Sequence, residues 1–447
     1  MKRVLLFLIV ALGLNTAMCM AQDIVGYWGG ELDVQGVKLE VFFDIAKGSN
    51  GYESKLDVPV QGARGVKVDA TTFNGMDVGM EIKSLGVTFK GIYAYGIISG
   101  TFSQKGFDLP LTLRKAQRIV TIRPQEPKAP FPYKAEEVKF KNTKEGITLA
   151  GTLTTPEGNG KVPAVVLITG SGQQNRDEEM FEHKPFAVIA DYLSRRGIAV
   201  LRFDDRGMGS SEQGKADATT LDLSYDAEAA VNFLKETGHF SSVGVLGHSE
   251  GCIISFMLGA RKLTDFVVSL SGPAVKGSEI LSAQQDSLYR LMGMPRETIN
   301  AMKSTFKDCF LIIDNSETIA GAQPEIESLV SILPEQVRTE LVNTFMNPWM
   351  FFFCKYNPAR DIAMTECPAL IINGKKDMQV PYSQNVPVYR RIAAEHPNAR
   401  FEIHEIDGLN HLLQHCATGN TTEYITIDET IAPEVLDLIA TFISKRK

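Results

Sequence analysis

From residue 133 to the C-terminus, unbroken apolar runs alternate with segments of helical period. The runs are Val165-Val166-Leu167-Ile168, Ile198-Ala199-Val200-Leu201, Val243-Gly244-Val245-Leu246, Phe266-Val267-Val268-Ser269-Leu270 and Ala369-Leu370-Ile371-Ile372. Strands with no polar alternation are covered on both faces, which is the condition of a parallel sheet. The segments between them, 186–195, 221–235 and 250–258, read as helices, so the pattern predicts βαβ units and a doubly wound, mostly parallel α/β sheet. Val138–Phe140 and Ile147–Leu153 read as a leading hairpin.

Nearly a hundred residues separate the run ending near Ser271 from the one starting at Ala369, too many for an ordinary connection. They are rich in helix formers and carry Met292, Met294, Met302, Met346, Met350 and Phe351-Phe352-Phe353. A helical cap over about 274–360 is expected, with this apolar set forming either its own core or a lid over a pocket.

Upstream the texture differs. In residues 22–120, Leu39, Val41, Phe43 and Ile45 alternate with their neighbours, and turn residues recur at Gly48-Ser49-Asn50-Gly51, Asn74-Gly75 and Gly106. Period-2 runs without a helical stripe predict a small antiparallel barrel or sandwich, read as an accessory domain. Pro124, Pro127, Pro130 and Pro132 mark a linker over 121–133, leaving 134–447 for the α/β domain.

Residues 1–21 read as a targeting segment. Lys2 and Arg3 precede the apolar stretch Val4–Leu14, and Cys19-Met20-Ala21 offers small residues for cleavage after Ala21. Export to the periplasm or medium is therefore expected, with no transmembrane span in the mature chain. Cleavage takes the formal charge from -7 to -9. With 46 basic against 53 acidic residues and no basic block, nucleic acid is an improbable partner. Cys252, Cys309, Cys354, Cys367 and Cys416 are odd in number and scattered, which suits neither a disulfide framework nor a zinc site.

The chemistry concentrates at Gly247-His248-Ser249-Glu250-Gly251, which follows one strand and opens a helix. In that strand–turn–helix context the glycines permit a sharp turn that lifts Ser249 above the sheet edge. A serine hydroxyl needs a base, held in turn by a carboxylate. Asp377 lies in the loop after Ala369–Ile372 and His411 in the loop after Phe401–Ile406, at the strand ends where ligand-facing residues of open α/β sheets belong. Among rivals, His404 lies inside a strand, His248 is too close in sequence to reach Ser249, and Asp361 precedes its strand; His415 remains an alternative base. A developing oxyanion needs donors. The Glu250 N–H is one, and the loop Thr169–Asp177 supplies the other, from Ser171 or its neighbour Gly172. Arg202-Phe203-Asp204-Asp205-Arg206-Gly207-Met208-Gly209 reads as an Asp–Arg turn bracing the elbow region.

Taken with Gly170-Ser171-Gly172, Gln174-Asn175-Arg176-Asp177, Asp204–Ser211, Gly374 with Asp377 and Pro381, and Asn410-His411, this chain from about 134 onward resembles the α/β-hydrolase superfamily. Within it, the similarity is to secreted bacterial serine esterases with a small N-terminal β domain. The resemblance implies a Ser249–His411–Asp377 triad, an acyl-ester substrate, and no cofactor or metal. Cys252, where related elbows usually carry Gly, and Gln173, where related loops often carry Pro, depart from the pattern. The other readings are an amidase or aminopeptidase using the same triad, and a glycan- or lipid-binding protein with a vestigial hydrolase domain. A homodimer is left open.

Overall fold

In this computed structural model the described residues are 23–446 apart from 35–36, 50, 62, 105, 119–120, 159 and 292–293. The expected targeting segment lies outside them. Two compact units divide the chain, one comprising residues up to Pro59 with Ala63–Ile119, the other Val60–Gly62 with Val120–Lys447.

The first unit is built from β1 (Gly26–Val34), β2 (Val37–Gly48), β3 (Gly51–Val58), β4 (Ala63–Lys67), β5 (Ala70–Phe73), β6 (Asp77–Ile82), β7 (Val87–Ala94), β8 (Ile97–Gln104) and β9 (Phe107–Lys115). The strand order β2-β1-β9-β8-β7-β6-β5-β3 closes through a β2–β3 pairing, with β4 beside β3, so of barrel and sandwich the barrel is found. Period-2 alternation turns Trp28, Val41, Phe43, Phe89, Ile98 and Leu113 into its interior.

The second unit opens with the antiparallel hairpin β10 (Tyr133–Asn142) and β11 (Ile147–Pro156). Six strands continue the sheet: β12 (Val162–Ile168), β13 (Ala199–Phe203), β14 (Phe240–His248), β15 (Val267–Leu270), β16 (Ala369–Gly374) and β17 (Phe401–Ile406). Their order is β10-β11-β13-β12-β14-β15-β16-β17, parallel from β13 onward. One face is covered by α1 (Pro185–Ser194), with the C-terminal helix Pro433–Ser444 beside it. Against the other face pack α2 (Thr220–Thr237), α3 (Glu250–Ala260) and two later helices, Ala359–Met364 and Tyr382–Glu395. Val165, Val200, Leu246, Val268 and Leu370 belong to the first layer, and Val166, Leu201, Val245, Val267 and Ile371 to the second. Both sides of the strands are thus buried, which is why their sequences lack alternation.

The interval between β15 and β16 is helical: α4 (Gly277–Leu291), α5 (Arg296–Asn315), α6 (Ile319–Leu329), α7 (Glu335–Phe345) and α8 (Pro348–Lys355), completed by α9 (Ala359–Met364) against the sheet. Cys309, Phe310, Ile313, Phe345 and Phe351 form a separate core in this insertion. No helix among the described residues is long and apolar enough to cross a membrane.

Candidate active site

The turn after β14 puts Ser249 at φ 51° and ψ -119°, a region L-residues avoid. Its neighbours enforce this. A Cβ on Gly247 would fall 2.2 Å from the Gly251 backbone, and one on Gly251 would fall 2.2 Å from the Ile168 carbonyl oxygen. Both positions therefore need glycine if the elbow is to sit against the end of β12. Cys252 fills the space beneath, its thiol donating to the Gly247 and Leu270 carbonyls, and burial pushes its pKa up to about 12. It is a packing thiol.

Asp377 closes the loop after β16. Its Oδ1 accepts the Gln379 and Val380 amides at 2.9 and 2.8 Å, leaving Oδ2 to face His411 Nδ1 at 2.8 Å. The carboxylate side chain is fully buried and His411 is nearly so. Gly374 lets the two loops meet, because a Cβ there would lie 2.3 Å from the Leu409 carbonyl oxygen. Around His411 the loop is stapled by Asn410 Nδ2 donating to Gln414 Oε1 and by the Gln414 amide returning to Asn410 Oδ1.

Ser249, His411, Ser171 and Glu250 line one cavity of about 280 Å³. Its walls include Met180, Phe181, Ile280, Leu281, Trp349 and Phe353. Asp377 stands behind His411. His415, by contrast, is half exposed with its ring nitrogens against Glu429 and Glu434, and His404 pairs with Glu402 on β17. Asp361 is hydrogen-bonded by the Tyr356 hydroxyl in α9's first turn. None of these three lines the cavity.

The donors for an oxyanion are also constrained. Gly170 N–H is already given to Glu178 Oε1 at 2.7 Å, so the next amide, Ser171, is the one left at the cavity wall. Glu250 is the first residue of α3, whose N–H has no intrahelical partner and lies at the positive end of the helix dipole. The Glu250 side chain turns away from solvent, its Oε1 accepting Thr220 Oγ1 at 2.6 Å and Trp349 Nε1 at 2.8 Å. Burial pushes that carboxyl above the ordinary range.

The Asp–Arg turn braces a different element from the one expected. Asp204 receives Arg176 through its backbone and guanidinium, and Asp205 receives the Gln174 amide and the Thr169 hydroxyl. These bonds hold the loop after β12 rather than the elbow, because β13 lies next to β12 and its end faces that loop. Burial raises Asp205 to about 7. Arg206, itself buried, donates to Asp226 and Glu145, while Gln173 donates to the Arg206 carbonyl. In the cap, the apolar set falls mainly into the insertion's own core. Of Phe351-Phe352-Phe353 only Phe353 reaches the cavity, and none of the insertion's methionines among the described residues lines it.

Sequence reasoning missed Glu178 and Trp349. Glu178, beside Glu179, looks like any solvated acid, yet it is 1% exposed and bonded to His248 Nδ1 at 2.9 Å. A histidine in a buried elbow needs a partner, and that need was the available signal.

An eight-stranded α/β sheet with a serine elbow at the end of β14, and an acid and a histidine after its last two strands, defines an α/β-hydrolase. Residues 182–415 match the family model described as serine aminopeptidase, S33, and the chain belongs to that family. It is 30% identical to esterase EstD of Thermotoga maritima over 274 residues, an alignment spanning 59% of this chain and 58% of that protein. Similar solved structures include the Pyrococcus furiosus esterase Pf2001, with 17% identity, TM-score 0.44, and 74% of this chain and 99% of that one covered. Another is the Mycobacterium smegmatis proline iminopeptidase, with 16% identity, TM-score 0.42, and 70% and 98% covered.

Proposed function

We propose that this protein hydrolyses carboxylic esters through an acyl-enzyme on Ser249. His411 takes the serine proton and returns it to the leaving alkoxide. Asp377 holds the imidazole tautomer, and the Ser171 and Glu250 amides hold the oxyanion; water then repeats the sequence to release the acid. The observation that carries this reading is one cavity shared by Ser249, His411 and the two amides, with Asp377 bonded to His411 from behind.

Substrate class follows from the lining. Besides Ser171 and Ser249, its neutral polar members are Gln174, Gln284, Gln379 and Thr421, and no Lys or Arg contributes, which suits an uncharged ester with an apolar acyl group. A second reading, an aminopeptidase, is favoured by the family description and by Glu250, the one acid in the lining. An ammonium group requires an ionised partner, whereas burial favours the neutral form of this carboxyl and Trp349 and Thr220 already engage it. The ester reading is therefore preferred, in keeping with the esterase relative. A third possibility, a binding protein with a vestigial site, would leave Ser249 unreactive toward a fluorophosphonate. Export is also part of the proposal, resting on the pattern of residues 1–21.

The deciding assay compares short-chain p-nitrophenyl esters with aminoacyl p-nitroanilides. The expected kcat/KM ratio is at least about 100, some 2.7 kcal/mol of transition-state stabilisation. Comparable rates on an anilide, dependent on Ser249, would establish the peptidase instead.

A further inference from the structure

Between α1 and the elbow, with His248 itself at the cavity wall, lies a polar array that the hydrolytic cycle above does not use. His248 Nδ1 meets Glu178 Oε1 at 2.9 Å, and His248 Nε2 meets the His411 backbone carbonyl at 3.1 Å. The same Glu178 oxygen accepts Gly170 N–H at 2.7 Å. Both side chains are buried, and Phe186, Leu270 and Leu413 surround them. The His248 and His411 rings lie 4.8 Å apart between centroids, tilted by 46°.

The protons can be assigned by counting. A backbone carbonyl only accepts, so Nε2 must carry hydrogen. Glu178 Oε1 already accepts from Gly170, and as a carboxylate oxygen it accepts from Nδ1 as well. A doubly protonated imidazole against a carboxylate brings three donors to these two acceptors; a neutral ring against the protonated acid would meet the same contacts, and it is the Glu178 charge beside the ring that favours the ionic form. A glutamine at 178 would serve these two contacts less well, since its NH2 could donate to a neutral Nδ1 or its oxygen accept Gly170 N–H, but no single atom of it does both.

We propose that Glu178 and His248 form a buried carboxylate–imidazolium pair that acts as a positioning device, fixing the oxyanion loop, the elbow and the His411 loop in one register. The proposal rests on the Ser249 reading above. Through Gly170 the pair directs which loop amide is left for the oxyanion. Through the His411 carbonyl it tethers the backbone of the base, whose ring Asp377 holds from the other side. Glu178 and His248 touch no substrate atom in this scheme. They act through the groups they hold, and such partners typically matter by factors of ten to a hundred.

The charged and titratable groups facing His248 are Glu178 from the loop before α1, Asp377 from the loop after β16 and His411 from the loop after β17; Asp205 acts on Glu178 from the loop after β13. Burial pushes the His248 ring down, but Glu178's charge and hydrogen bond outweigh it, and the ring stands above the ordinary imidazole value.

The test uses the full chain with Glu178→Gln and His248→Asn. Low-field proton spectra of the wild type at pH 8 should show imidazole N–H signals that vanish in His248→Asn and in Glu178→Gln. Steady-state kinetics on a p-nitrophenyl ester should show kcat of Glu178→Gln lower by roughly 10- to 100-fold, with KM changed less than about threefold. The ratio of variant to wild-type kcat should fall further as pH rises from 6 to 8.5, because the unpaired ring then loses its second proton. A pH-independent ratio, kinetics of both variants within threefold of wild type, or His248 signals retained in Glu178→Gln would overturn the pair. If Glu178→Gln fails to fold, the wild-type spectrum against His248→Asn decides. Full activity in Ser249→Ala would sink the hydrolytic reading alone, since the spectra report the pair without turnover.

Discussion

Ser249 holds a backbone conformation that costs of order 1–3 kcal/mol and persists only because Gly247 and Gly251 let the elbow close against β12. That strain aims the hydroxyl into the cavity, so its removal should act on chemistry rather than on folding. Ser249→Ala is expected to lower turnover by several orders of magnitude, leaving roughly 10³–10⁴-fold assistance from the oxyanion donors and binding. Near-normal rates in that variant would refute the nucleophile. His411→Ala should be comparably damaging and His415→Ala mild, since the His415 ring is tied to Glu429 and Glu434 outside the cavity. The reverse pattern would transfer the role of base. Ser249 and Asp377 stand out in the sequence because each follows an unbroken apolar run, and His411 because it follows the alternating run Phe401–Ile406. Glu178 is not, because its meaning depends on the fold bringing it to His248, seventy residues away.

At the level of elements, the sheet strands are legible because burial on both faces leaves a signature of unbroken apolar residues. The barrel's alternation is legible for the opposite reason, but its closure is not, since a β2–β3 pairing leaves no mark in either strand. The cap shows a third case. Its length betrays an insertion, yet its helices bury apolar residues both in their own core and toward the cavity, so composition alone cannot say which residues meet substrate. Trp349, stacked on Phe353 at 5.1 Å and bonded to Glu250, is the wall that the Met and Phe content did not reveal. Trp349→Ala should open that wall and raise the kcat/KM of an octanoyl ester relative to a butyryl ester by roughly tenfold, the scale of discrimination one apolar pocket provides. An unchanged ratio across a p-nitrophenyl ester series would show that acyl chains bind elsewhere.

For the whole molecule, acid sensitivity should trace in part to His183. Its Nε2 meets the Tyr424 carbonyl at 2.9 Å and the Gln414 amide nitrogen at 3.0 Å, and its Nδ1 meets the Thr430 hydroxyl at 2.9 Å; burial lowers its pKa to about 4. Between that value and the unfolded value of about 6.5, the unfolded chain binds the proton and the folded one does not. Stability is therefore unaffected above the upper value and falls as pH drops toward the lower one, by up to about 3 kcal/mol. Urea midpoints at pH 7 and 4.5 should drop more steeply for the wild type than for His183→Gln. Equal drops would place the acid sensitivity on other groups.

The central claim, that Ser249 is acylated during turnover, is tested most directly by mass spectrometry of the full chain. The protein is mixed with excess p-nitrophenyl ester, quenched in acid within the burst phase, and digested. The account predicts one acyl group per chain, mapped to the peptide containing Ser249 and absent from Ser249→Ala. An unmodified Ser249 in a sample that has released p-nitrophenol enzymatically, or an acyl group on another residue, would contradict it.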